Sequence, residues 1–398
     1  MKQMTRIIGT LAFFMAMAMG IVSSPANAVN EVVIGIATSL NTIEGKESGK
    51  AAMLAVQAIN RKGGVRIMEE WRPIRLTMVD IDDAGPDSEK TESVQKLERF
   101  LQKEALHAIA MTPVIESLVL RDPGYRHIFR TGFNTKYLAD AMIQIMQFLR
   151  ARFGFSRVYL LTQDIAWARS TVAIMIRLYF DRMGWQVVGA DHFAYGTSDF
   201  SASLTRARDR GAQVILPIFD MPHSGNLVIQ WQEMTIPAML CGFISPMVGP
   251  GAWEAFDGKI AGTLNVIFEL GNMPSDHHPP AGKFYRHYQD HYGQSIQAGH
   301  GPAPSYESIY LLADAIESAS SLDPEKLVTA LEASDRMGPM GRLRFHKGHQ
   351  IIFGTDPQKE AVVCLFQWTR DGKRRIVYPP SIAEGEIEWP VAGLSAPP

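Results

Sequence analysis

The chain has 398 residues, and its 39 Lys and Arg residues nearly balance its 41 Asp and Glu residues, leaving a formal net charge of -2. No block of like charges occurs, so the composition favours neither nucleic acid nor an anionic membrane as a partner. A small molecule or another protein is the expected partner. The length fits one or two lobes of roughly 100–200 residues each, and we expect two.

The first 28 residues have the organisation of a secretory signal peptide. Lys2 and Arg6 precede an apolar run at residues 7–22, which is too short for a permanent membrane helix. The small residues Ala26 and Ala28 suit a signal peptidase, so we expect cleavage after Ala28 and export from the cytoplasm. No cysteine stands directly after that position, so we expect no lipid anchor. Because no later run approaches the length of a spanning helix, we expect a soluble mature protein.

The two cysteines, Cys241 and Cys364, exclude a framework of several disulfides. In an oxidising compartment they could form one bridge. Two buried free thiols in separate strands is the plainer interpretation. The sequence leaves both possibilities open.

Strand and helix patterns alternate along most of the chain. The apolar run Val32–Ala37 predicts a fully buried strand, and the apolar spacing over residues 51–59 predicts a helix that ends at Gly63 and Gly64. Strands are then predicted at Ile74–Ile81, His107–Met111, His127–Thr131, Arg157–Leu161, Gln186–His192, Ala212–Ile218, Ala238–Cys241, Gly262–Phe268, Gly341–Phe345, Ala361–Trp368 and Arg374–Val377. Helices are predicted at Ser88–Glu104, Tyr137–Phe153, Ala168–Met183, Phe200–Arg210, Ser224–Met234, Gly282–Tyr292, Pro304–Ala319 and Pro324–Ala333.

Repeated strand, helix, strand order predicts parallel neighbouring strands with right-handed crossovers. In such sheets, ligands bind at the carboxyl ends of the strands. The loops that follow strands are therefore the expected positions of functional residues.

Short segments spread over the chain carry more specific information. They are Ile34–Ile36, Ala55–Gly64, Val79–Asp83, Phe129–Thr131, Thr197–Ser201, Tyr306–Ile316 and Met340–Phe345. Each segment is a weak signal alone. Taken together and in this order, they resemble the type I periplasmic solute-binding proteins of ABC importers, in the branched-chain amino acid (Leu/Ile/Val)-binding class.

This resemblance implies an α/β fold of two lobes, each a mainly parallel sheet flanked by helices, joined by three crossing hinge strands. It assigns residues 29–131 with 249–335 to lobe 1, residues 132–248 with 336–380 to lobe 2, and residues 381–398 to a tail. It also implies that a small molecule is captured between the lobes in the periplasm and delivered to an inner-membrane ABC permease. On this view the protein is a monomer without a cofactor, and it is not an enzyme.

Residues after the strands of lobe 2 are the first candidates for contacting the ligand. Trp167 stands where the family carries a Tyr that packs on the ligand, and Phe219 and Asp220 match another position that lines the site. Phe243 and Ile244 stand where amino acid binders carry a Glu that pairs with the ammonium. A buried ammonium without an anionic partner costs several kcal/mol.

Lobe 1 offers fewer candidates. Glu44, like Asp220, could replace the missing carboxylate. The family holds the ligand carboxylate with a Ser-rich loop and a further βα unit, but this chain has only a short link at residues 112–125, where Thr112 offers a hydroxyl. We therefore expect a ligand less polar than a zwitterion, such as a small aromatic, alcohol, aldehyde or amide compound. It would stack near Trp167 and Phe219, with Asp220 or Asn41 fixing its polar end.

Plainer interpretations compete with these assignments. Trp167 could be a core aromatic, and Asp220 could cap the following helix. Asp80, Asp82 and Asp83 have the look of a metal site, but a strand would send alternate residues to opposite faces. His287 and His291 share one helix face but lack the Glu of a metalloprotease motif, so no metal is expected.

Two other functions are alternatives to solute capture for an importer. A secreted α/β enzyme would need a nucleophile, a base and an orienting acid after strand ends, and no such set occurs in the sequence. A ligand-sensing or accessory periplasmic protein of the same fold, not coupled to transport, is the alternative that the sequence leaves open.

Overall fold

The computed structural model describes residues 30–81, 90–111 and 126–389. The predicted signal peptide, Thr112 with the short link at 112–125, and the end of the tail lie outside the described residues. Predictions about those segments stay predictions.

The described strands are β1 (Val32–Thr38), β2 (Val65–Ile67), β3 (Glu70–Arg72), β4 (Ile74–Asp80), β5 (Ala108–Met111), β6 (Arg157–Gln163), β7 (Gln186–Phe193), β8 (Val214–Phe219), β9 (Met239–Ile244), β10 (Leu264–Ile267), β11 (Arg336–Gly338), β12 (Gly341–Leu343), β13 (Phe353–Gly354), β14 (Ala361–Val362), β15 (Cys364–Trp368) and β16 (Arg374–Tyr378). The α-helices are α1 (Ile43–Asn60), α2 (Lys90–Lys103), α3 (Thr135–Phe153), α4 (Ala166–Met175), α5 (Ser201–Asp209), α6 (Gly225–Glu233), α7 (Ala252–Ala255), α8 (Pro279–Tyr292), α9 (Pro302–Ala319) and α10 (Pro324–Glu332).

The strands form two main sheets. The smaller has the order β4-β1-β5 and is parallel, and the larger has the order β16-β15-β10-β9-β8-β6-β7. The larger sheet is parallel from β10 to β7, whereas β15 pairs antiparallel with β10 and β16. A four-stranded sheet of order β11-β12-β14-β13 and the hairpin β2-β3 complete the described strands. The predicted α/β class with mainly parallel sheets is confirmed.

Burial explains why these segments form a layered structure. All residues of β1, β8 and β9 are buried, as expected for strands covered by helices on both faces. The smaller sheet packs its apolar residues against helices α1 and α9, and the larger sheet has a separate and more extensive core. In the part of the chain described, no helix is both long and apolar enough to span a lipid bilayer.

The turn between β1 and α1 fixes where that helix begins. The Thr42 hydroxyl accepts a hydrogen bond from the backbone N–H of Gly45 at 3.0 Å, which caps the first turn. A side chain at position 45 would bring its Cβ within 1.9 Å of the Ser39 carbonyl oxygen, so only glycine fits there. This close turn places Glu44 in the first turn of α1.

Three details differ from the sequence-based expectations. In the predicted strand His127–Thr131, only Arg130 pairs, through a single β-bridge to Gln350. The other residues of this segment pair with no described strand. The predicted helix at Ala168–Met183 is α-helical only to Met175 and then continues as a π-helical and a 3-10 turn. The short hairpin β2-β3 was not predicted.

Cys241 and Cys364 are buried free thiols. Cys241 lies on β9 and Cys364 on β15, and β10 runs between these two strands. Burial strongly raises the pKa of both thiols. Of the two possibilities left open by the sequence, separate buried thiols is the one observed.

Strand β10 belongs to the larger sheet, where it pairs with β9 and β15. The predicted lobe boundaries assign this part of the chain, within residues 249–335, to lobe 1. The boundaries themselves remain a prediction.

Candidate functional site

Three ionisable side chains from distant parts of the sequence come together beside the ends of both main sheets. They are Glu44 in the first turn of α1, Asp220 directly after β8, and His300 two residues before α9. One ligand atom from each lies within 4.8 Å of the others. We call these three residues the charged cluster. Their positions at helix starts and after strand ends agree with the expected location of ligand sites in parallel sheets.

Glu44 is held in place from the larger sheet. Its exposed fraction is only 7%, and the hydroxyl of Ser245, which follows β9, donates a hydrogen bond to Glu44 Oε1 at 2.8 Å. Burial raises the pKa of Glu44, and the nearby Asp220 carboxylate raises it further. The two acidic groups thus come close enough to repel each other when both are ionised.

Asp220 is positioned through its backbone, which leaves its carboxylate available. Its N–H donates to Oε1 of the buried Gln163 side chain at 2.9 Å. Its Oδ1 atom is buried and has no hydrogen-bond partner among the described residues. It forms an ion pair with His300 Nε2 at 3.7 Å, a distance that is too long for a hydrogen bond.

His300 is 3% exposed, and its loop is fixed by two further buried carboxylates. Glu47 on α1 accepts hydrogen bonds from the backbone N–H groups of Gln297 and Ala298, and Glu269 accepts one from Gly301. In the described part of the chain, neither ring nitrogen of His300 has a hydrogen-bond partner. A buried imidazole without partners is costly unless a ligand satisfies it.

Two aromatic rings border the imidazole. Phe268 stacks on it with ring centroids 5.4 Å apart, and Phe243 meets it edge to face at 5.9 Å. Burial alone would lower the pKa of His300, but the negative groups Asp220, Glu44 and Glu269 raise it to about 9. The cluster therefore combines two carboxylates and a protonated imidazole, of which Glu44 and His300 are buried and the Asp220 side chain is 32% exposed.

Stability should fall as the pH rises from 6 to 9. His300 has a pKa of about 9 in the folded protein against 6.5 as the ordinary value, so its contribution is full below pH 6.5 and is lost through about pH 9. Burial raises the pKa of Glu47 and Glu269 from 4.5 to about 7, so the folded state also binds more protons than the unfolded state at these groups, and their effect has the same sign.

Thermal unfolding followed by circular dichroism at pH 6, 7, 8 and 9 checks this expectation. The midpoint should decrease across the series, and a His300→Gln variant should show a smaller decrease between pH 7 and 9. A midpoint that is constant or increases over this range would contradict the assignment of a protonated His300.

The predicted ligand-binding residues separate into groups. Glu44 and Asp220 are brought together in the charged cluster, and Phe243 contacts it through His300. Phe219 and Ile244 are paired across β8 and β9 and thus share one face of the sheet, where Phe219 packs on Phe200 with ring centroids 5.5 Å apart. Both are fully buried in the core.

Two further predicted residues, Trp167 and Asn41, are among those that the structure describes. Trp167 is in the first turn of α4, partly buried against the core of the larger sheet. Asn41 is exposed in the turn between β1 and α1. Thr112 lies outside the described residues. The ligand-binding roles of all eight residues stay predictions.

His300 is the member of the charged cluster that sequence reasoning missed. It stands between Gly299 and Gly301, just before a proline that begins α9. A histidine in such a turn, at the start of a helix in an α/β chain, is a usable signal, but the chemistry becomes visible only when Glu44 and Asp220 are placed beside it.

Comparison with known proteins identifies the family of this chain. The family described as "Periplasmic binding protein" matches residues 108–373, more than half of the chain. The chain belongs to this family. Its members in the comparisons are named as binding proteins and not as enzymes.

Individual relatives agree with that assignment. The chain is 22% identical over 395 residues to the leucine-, isoleucine-, valine-, threonine- and alanine-binding protein of Pseudomonas aeruginosa, covering 94% of this chain and 99% of that protein. Its fold is similar to that of an ABC transporter substrate-binding protein from Sphaerobacter thermophilus, with a TM-score of 0.71, 18% identity and coverage of 90% and 99%. It is also similar to a solute-binding protein from R. palustris in complex with benzoate, with a TM-score of 0.64, 15% identity and coverage of 89% and 98%.

Proposed function

We propose that this chain is the solute-binding component of an ABC importer, and that the charged cluster binds the amino group of a small solute such as an α-amino acid. The solute is captured in the periplasm, after removal of residues 1–28, and is passed to an inner-membrane permease. The observation that carries this proposal is the convergence of the buried Glu44 and the partly buried Asp220, which come from elements of both main sheets.

An ammonium group suits this arrangement for electrostatic reasons. A buried cation needs an anionic partner, and the cluster offers two carboxylates. Burial raises the pKa of Glu44, and repulsion by Asp220 raises it further. An ammonium between them would relieve that repulsion further than the protonated His300 already does. The amino acids in the name of the Pseudomonas aeruginosa relative carry such a group.

The sequence-based hypothesis of a ligand less polar than a zwitterion assumed that no carboxylate replaces the family's Glu. Glu44 and Asp220 now supply a candidate replacement, which favours an amine. The uncharged ligand remains the second candidate because the Phe243 and Phe268 rings border the cluster. The carboxylate-bearing aromatic benzoate bound to the R. palustris protein illustrates that proteins of this fold also accept ligands without an amino group.

Isothermal titration calorimetry separates the two candidates. The protein is purified without a tag, unfolded and refolded to remove any retained ligand, and treated with EDTA. It is then titrated with leucine, alanine and threonine, and in parallel with their decarboxylated amines and with uncharged aromatic, alcohol and amide compounds. Binding of amino acids in the micromolar range or tighter is expected. If only the uncharged compounds bind, the ligand is the less polar one and the amino acid proposal is wrong.

Coupling to transport needs a separate measurement. Uptake of the ligand identified by calorimetry should depend on this protein in cells that contain its permease. Tight binding without any effect on uptake would favour the sensing or accessory role.

Trp167 provides a further test of where the solute lies. If its indole packs on the solute, Trp167→Ala should weaken binding by about 1–3 kcal/mol through lost aromatic burial. Trp71, which is 55% exposed in the hairpin β2-β3, is the matched control, and Trp71→Ala should leave the affinity unchanged. Equal affinities of the two variants and the unmodified protein would assign Trp167 to the core alone.

A further inference from the structure

We infer that Glu44, Asp220 and His300 together form a binding site for a divalent transition-metal ion of the Zn²⁺ class. Two carboxylate oxygens and one imidazole nitrogen are a common donor set for Zn²⁺. Three protein ligands also leave a fourth position open. This donor set differs from the sequence patterns at Asp80, Asp82 and Asp83 and at His287 and His291, none of which belongs to the charged cluster.

The geometry is close to what such an ion requires. Bonds of about 2.0–2.2 Å in a tetrahedral arrangement separate the ligand atoms by about 3.4 Å. His300 Nε2 and Asp220 Oδ1 are 3.7 Å apart, and all three ligand atoms lie within 4.8 Å of one another. The 3.7 Å distance exceeds the tetrahedral spacing, so the side chains would turn toward the ion when it binds.

The buried unpartnered atoms point to a ligand independently of the acidic residues. His300 is only 3% exposed. Among the described residues, both of its ring nitrogens lack hydrogen-bond partners. Asp220 Oδ1 also has no hydrogen bond there, and it meets His300 Nε2 only as an ion pair at 3.7 Å. A metal ion at this point would satisfy one nitrogen of His300 and Asp220 Oδ1 at once, while Ser245 continues to donate to Glu44 Oε1.

Charge balance supports the same conclusion. Two ionised carboxylates and a neutral imidazole cancel the charge of a divalent cation, so the loaded site is neutral. A metal ion binds the deprotonated forms of carboxyl and imidazole ligands, so its binding releases any proton that these groups hold. The ion would be retained less well at low pH, because protons compete for the same three groups.

This inference uses the same site as the proposed function and depends on that function in no other way. The metal ion and the ammonium of an amino acid would occupy the same carboxylate oxygens and so exclude each other. The two proposals can fail separately, because Zn²⁺ binding is measured without any organic ligand, and amino acid binding is measured in EDTA.

The test is a calorimetric titration of the untagged, EDTA-treated and dialysed protein with ZnCl₂ at pH 7.5. One Zn²⁺ per chain is expected, with release of protons that is detected by repeating the titration in buffers of different ionisation enthalpy. Co²⁺ should give the intense visible absorption of a tetrahedral site. His300→Gln and Glu44→Gln should each weaken Zn²⁺ binding at least about tenfold.

His127→Gln is the matched control, since His127 also contacts a glutamate, Glu325, but is exposed and distant from the cluster in the sequence. It should bind Zn²⁺ as the unmodified protein does. Absence of stoichiometric Zn²⁺ binding by the unmodified protein would overturn the inference. Unchanged binding by a folded His300→Gln or Glu44→Gln variant would also overturn it, and the Co²⁺ spectrum of the unmodified protein decides the matter if both variants fail to fold.

Discussion

Replacing Asp220 with asparagine should weaken the binding of an amino acid ligand by about 2–5 kcal/mol, because the ammonium would lose one of its two anionic partners in buried surroundings. This corresponds to a loss of affinity of about 30-fold to several thousand-fold. The amide has nearly the shape of the carboxylate, so the fold should persist. Calorimetry with the ligand found for the unmodified protein measures the effect, and circular dichroism verifies folding.

Asp164→Asn serves as the comparison. Asp164 is an exposed aspartate that pairs with Arg169 shortly after β6, and surface pairs of this kind contribute little. Its affinity should stay within about twofold of the unmodified protein. If Asp220→Asn bound as tightly as Asp164→Asn, Asp220 would have no role in holding the ligand.

The largest loss of stability is expected at Trp231. This residue of α6 is 1% exposed in the core of the larger sheet, and its Nε1 donates to the Ala238 carbonyl at 2.8 Å. Trp231→Ala should lower the free energy of unfolding by about 3–5 kcal/mol, through lost apolar burial and the cavity that remains. Chemical denaturation followed by fluorescence measures the change.

Trp71→Ala is again the suitable control, because the exposed indole contributes little to any core. Its free energy of unfolding should stay within about 0.5 kcal/mol of the unmodified value. A loss at Trp231 no larger than that at Trp71 would mean that the surrounding residues collapse into the cavity.

The order of strands and helices could be predicted because its signals are local. Fully apolar runs such as β1 and amphipathic spacing such as that of α1 are readable over a few residues. Short pairings are different. The hairpin β2-β3 has three residues in each strand, too few to show a period, and the expected strand at His127–Thr131 depended on a partner that only Gln350 supplies.

The site could be predicted only in part, for the same reason. Glu44 and Asp220 were accessible as residues that follow strands, and the resemblance to a known family indicated why a carboxylate was needed. Their contact with each other, and the approach of His300, depend on how the two sheets and α9 pack. The sequence also could not predict the face of the sheet on which Phe219 lies, because a shift of one residue along a strand moves every side chain to the opposite face.

The placement of the two cysteines bears on how the protein matures after export. Strands separated by one intervening strand lie about 10 Å apart, whereas a disulfide requires Cα atoms closer than about 7 Å. Because β10 lies between their strands, Cys241 and Cys364 are too far apart to form a disulfide in the folded sheet. The chain therefore reaches its folded state without forming a disulfide. An oxidant present during folding would hinder folding if it joined the two thiols before β10 pairs with β9 and β15.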